Sequence, residues 1–113
     1  MQIARYDIII KRGETYCQDA VFRDKVTKEP LDLTGLKASA EVRPSEESDT
    51  LIGVIYCDVF PEDSYMQLSM PKNKTAEIEP GFYTWDMKMT DEETGNIAYE
   101  IEGNFIVKGR TTK

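Results

Sequence analysis

Along most of this chain, apolar and polar residues alternate one for one. In LKASAEVR, Leu36, Ala38, Ala40 and Val42 fall on one face, and Lys37, Ser39, Glu41 and Arg43 on the other. IAYEIEGNFIV sets Ile97, Tyr99, Ile101, Phe105 and Val107 against Glu100, Glu102 and Asn104. SYMQLSM turns Met66, Leu68 and Met70 inward, and GFYTWDMKMT separates Tyr83, Trp85, Met87 and Met89 from Phe82, Thr84, Asp86, Lys88 and Thr90. A two-residue period of this kind is what a sheet with one dry and one wet face requires. Trp85 and Asp86 therefore point to opposite sides. Trp85 is predicted to be core rather than half of an aromatic–carboxylate sugar platform.

Turn chemistry divides these runs. Arg12-Gly13-Glu14 breaks YDIII from TYCQDAVFRD, PSEESDT is a polar loop, Pro61-Glu62-Asp63 follows LIGVIYCDVF, and DEETGN joins the last two strands as a hairpin turn. PKNKTAEIEPG lacks the alternation and predicts a helical turn or short helix, stopped by Pro80 and Gly81. Seven strands, one short helical crossover and 113 residues predict a single all-β domain over residues 1–113, an antiparallel immunoglobulin-like β-sandwich. A small barrel is the other architecture this spacing fits. The tail GRTTK is expected to fray.

Charge narrows the partners. Twenty-one Asp and Glu against 14 Lys and Arg give a net charge of -7, with the basic residues scattered. Nucleic acid and anionic membrane surfaces are therefore not expected as partners. The apolar run Ile8–Ile10 is too short for a signal sequence or a spanning helix, so synthesis in a cytoplasm is the expectation. Cys17 and Cys57 are then expected as free thiols.

Histidine is absent, which removes the usual triads, Cys-His pairs and His-based metal sites. Neither a phosphate-binding loop nor a dinucleotide fingerprint occurs. DEETGN is rich in oxygen but lacks the ligand spacing of a calcium loop. No catalytic residue, metal or cofactor is expected, and the chain reads as a non-enzyme.

Three patches carry a resemblance: YDIIIKRGETY, EPLDLTGLKASAEVR, and IEPGFYTWDMKMTDEETGNIAYEIEGNFIV. Together they resemble the small Ig-like domain family of tailed phages and prophages, which includes the N-terminal domain of the phage baseplate upper protein. The resemblance spans roughly residues 6 to 107 and rests on Gly13, Asp32, Leu33, Thr34, Gly35, Gly81, Tyr83, Trp85, Gly103 and Phe105. These are structural positions. Gly13 suits a left-handed turn, Asp32 and Thr34 suit a side-chain-capped turn, and Gly103 suits a close backbone approach.

The resemblance implies a virion structural protein of the baseplate, tail, fibre attachment or head decoration. Such a protein would be made in the bacterial host cytoplasm, present in several copies, and partnered by other virion proteins. The baseplate protein continues into a fibre-like region where this sequence stops, so an adaptor or decoration subunit is also expected. A rival reading is a host-surface carbohydrate-binding module using Tyr56, Phe60 or Tyr65; a small carboxylate hydrolase is a third.

Overall fold

A computed structural model of the chain describes residues 2–23 and 26–109. The expected fraying of the last residues falls mostly on positions outside that range. Eight strands appear among the described residues: β1 (Gln2–Arg5), β2 (Ile8–Lys11), β3 (Tyr16–Val21), β4 (Leu36–Arg43), β5 (Gly53–Phe60), β6 (Tyr65–Met70), β7 (Gly81–Asp91) and β8 (Ile97–Lys108). One helical turn, α1 (Lys72–Thr75), lies between β6 and β7, inside the non-alternating stretch.

The architecture is all-β and immunoglobulin-like. Strand neighbours run β1-β8-β7-β4-β5-β6-β3, with β2 continuing β1 along β8. Two layers arise because β5 changes partner midway. Gly53, Val54 and Ile55 pair with β4, whereas Tyr56 to Phe60 pair with β6. The alternating side chains of both layers close on one core, in which Val42, Met66, Met70, Met87, Met89 and Phe105 are fully buried.

The expected antiparallel pairing holds from β3 to β8 and gives way at the chain's start. Both β1 and β2 run parallel to β8. No turn joins the first strand to the last, so no hairpin dictates their direction. The first strand also begins earlier than expected, at Gln2, and is interrupted at Tyr6 and Asp7 without a change of register. Gln2 faces Tyr99, Ile8 faces Phe105, and the separation in sequence is the same on both sides of the break.

Candidate functional site: an open edge, a latch and a cleft

The break in the first strand is built from four residues. Tyr6 donates its backbone N–H to Glu102 O at 3.0 Å, as a parallel ladder requires. Its carbonyl leaves the ladder and accepts the Trp85 indole N–H at 2.7 Å. Asp7 replaces that carbonyl, its Oδ1 accepting the Asn104 backbone N–H at 2.9 Å. Opposite sits Gly103, and a Cβ there would collide with Tyr6 O. Trp85 is 2% exposed, as the parity of its strand predicts.

A second set of bonds spans the open side of the sandwich, where the sheet pairing does not close. Gln18 Nε2 donates to Tyr6 Oη, and Tyr16 Oη donates to Gln18 Oε1 at 3.0 Å. This tyrosine–glutamine–tyrosine latch ties the first-strand break to β3. Burial, reinforced by the nearby Tyr6, pushes the Tyr16 phenol up to about 12.

Beside the latch, a cleft of about 430 Å³ opens between β3 and the start of β8. Phe22, Leu31, Leu68, Trp85, Tyr99 and Ile101 line it, and Arg5, Asp19, Arg23 and Glu100 stand at its rim. Such a wall takes apolar groups and discriminates weakly by charge, because both signs share the rim.

The residues that carry the resemblance are placed as scaffolding. Gly13 has φ +82° and donates its N–H to Thr75 Oγ1 at 3.1 Å. Asp32 Oδ1 accepts the Thr34 N–H at 3.0 Å, and that bond holds the Asp32 carboxyl below its ordinary range. Gly35, at φ +77°, offers its carbonyl to Glu92 N–H and so docks this turn on the β7–β8 hairpin. Leu33 is fully buried, and Phe105 with it. Gly81 opens β7, and Tyr83 Oη donates to Glu79 O at 2.6 Å. Of these ten, the structure pairs Trp85 with Gly103 and Tyr83 with Phe105 as cross-strand partners.

The acidic turn has its own internal use. Asp91 Oδ1 accepts N–H groups from Glu93 at 2.8 Å and Thr94 at 3.4 Å, and Gly95 N–H donates to Asp91 O. Among the described residues no three Asp, Glu or Cys gather as a metal-binding group. Glu41 and Asp86 share Arg43, at 2.8 and 3.5 Å. Phe60 and Tyr65 stack on each other across β5–β6, with centroids 4.7 Å apart, while Tyr56 stands 50% exposed two rows away. Cys17 is exposed and Cys57 half-buried, both with free thiols.

Three structural features carry no sequence signal: the Tyr6 carbonyl, the latch and the cleft. Thr75 belongs with them. It is fully buried, and its hydroxyl donates to Glu14 O at 2.8 Å while accepting from Gly13. A lone Thr in a short polar segment gives no hint of this.

No family model matches the chain, and no curated protein matches it. Among solved structures it is similar to InlP of Listeria monocytogenes, with TM-score 0.53 and 15% identity. That match covers 94% of this chain but only 27% of InlP. It also overlays the cysteine protease inhibitor EhICP2 of Entamoeba histolytica, with TM-score 0.49, 9% identity, and 95% and 96% of the two chains covered. The NK cell receptor Nkp44 gives TM-score 0.46 and 7% identity over 95% and 97%. At these identities the InlP likeness speaks to the fold alone.

Proposed function

We propose that this chain is a non-enzymatic structural protein of a phage virion, acting in the baseplate, tail, fibre attachment or head decoration by docking to other virion proteins. The observation that supports docking is the open outer edge of β2. Among the described residues no strand pairs with it. Ile9 lies on that edge 58% exposed, in an apolar row with Ile106 and the 80% exposed Phe82. An unpaired edge flanked by exposed apolar side chains is a template for β-strand addition.

The virion assignment itself draws on the three sequence patches, whose resemblance-bearing residues occupy turns and core positions. The cleft between β3 and β8 is a second place where a partner's apolar side chain would seat. Mass spectrometry of virions purified from the strain carrying the gene tests the proposal. The chain is expected in stoichiometric amounts with other structural proteins, and its absence from the particles would refute the assignment.

A further inference from the structure

The outer edge of β2 reads the same against itself. Asp7, Ile9 and Lys11 are exposed and alternate with the buried Ile8 and Ile10. Tyr6 and Arg12 both direct backbone N–H groups to β8, at 3.0 and 2.9 Å. In a parallel ladder the alternate residues turn their backbone groups the other way, so Ile9 offers its N–H and C=O to the open side. Lys11 lies directly beside Lys108 on β8. Among the described residues no carboxylate pairs with either ammonium. Like charges side by side are unfavourable, so an anionic partner at the open edge would relieve Lys11.

We propose that this edge pairs antiparallel with the same edge of a second copy, centred on Ile9. In that register Ile9 meets Ile9. Asp7 of each copy then meets Lys11 of the other, since both lie two residues from the centre. Two ion pairs form, each compensating one of the crowded lysines. One oxygen of Asp7 stays on Asn104, and the second remains for the lysine. The apolar row Phe82–Ile106–Ile9 becomes continuous across both copies.

Other arrangements do worse. A parallel self-pairing sets like residues against like, and a two-residue shift sets a charge against Ile9. The opposite open edge, β3, shows Cys17, Asp19 and Val21 outward and has no such self-complement. The contact is small, so the dimer is weak in dilute solution and strengthens where copies are held close together, as on a particle. This deepens the docking reading by naming the partner at one edge; it rests on that edge and not on the virion assignment.

Sedimentation velocity over a concentration series, with circular dichroism to confirm folding, tests it. The wild type is expected to shift from monomer to dimer. Lys11→Glu and Ile9→Lys each leave the Asp7–Asn104 bond in place and are expected to weaken association by about tenfold or more. Asp7→Lys sets lysine against lysine and weakens it likewise. An equimolar mixture of Asp7→Lys with Lys11→Glu restores opposite charges at both positions and is expected to regain the heterodimer. A wild type that stays monomeric overturns the proposal, as do Lys11→Glu and Ile9→Lys variants that associate like the wild type. Absence of the chain from virions would leave self-pairing standing, whereas a monomer found in virions would remove self-pairing alone.

Discussion

Tyr6 shows how one carbonyl can organise a fold. Turning it out of the ladder is unfavourable unless both groups left behind are satisfied. Trp85 satisfies the oxygen, and Asp7 satisfies the Asn104 N–H. Gly103 supplies the space. Gly103→Ala forces its Cβ against backbone, which cannot rotate away, and is expected to destabilise by about 3 kcal/mol in urea unfolding. Trp85→Phe keeps most of the ring but strips the carbonyl of its donor, at about 1–3 kcal/mol. Trp85→Ala adds a cavity, and about 3–5 kcal/mol is expected. If Trp85→Phe matched the wild type, the indole bond would contribute nothing. The two cysteines differ in the same local way. Burial, with Asp58 nearby, pushes the Cys57 thiol up to about 11, whereas Cys17 is exposed. An aromatic disulfide reagent at pH 8 is expected to titrate one thiol rapidly in the native protein, and the second only on unfolding.

At the scale of elements, α1 has a single turn and cannot be stable alone. Thr75 fixes it to the β2–β3 turn by bonding both Gly13 and Glu14. Thr75→Val keeps the volume, leaves those backbone groups unpaired, and is expected to cost about 1–3 kcal/mol by denaturant titration. Fold class was legible because alternation in LKASAEVR, SYMQLSM and IAYEIEGNFIV reports which side chains face the core. Alternation names a face but not a neighbour. Hence the parallel direction of β1 and β2 was hidden, and so was the change of partner at Ile55 and Tyr56, where parity runs on unbroken. The N-terminal extension to Gln2 escaped because its few residues lack clean alternation. The β2 edge lay within a recognised apolar run, yet its openness depends on what the rest of the chain leaves uncovered.

For the whole molecule, the latch and the core make stability depend on alkaline pH. Tyr16 and Cys57 both have raised values in the folded state, about 12 and about 11. Their protonated forms are held more tightly folded than unfolded. Their contribution is full below the unfolded values near 9 and 10, and is lost as pH rises through the folded ones. The thermal midpoint is therefore expected to fall progressively between about pH 9 and pH 12, and Tyr16→Phe to flatten the upper part of that decline. A midpoint flat across the range would contradict the burial of both groups. The net charge of -7 adds general repulsion at high pH, which salt screens, so the scan belongs at fixed ionic strength.

The constant offset between the first and last strands also sets a schedule. Ile8 packs beside Phe105, and Asp7 waits for Asn104, 97 residues further on. At ordinary ribosomal speeds of about 5–20 residues per second, the first strand emerges roughly 5–20 s before its partner exists. Through that interval Ile8, Ile9 and Ile10 have no sheet to join. The nascent chain must therefore keep an apolar strand out of trouble until β8 is made, because the fold cannot be completed before then.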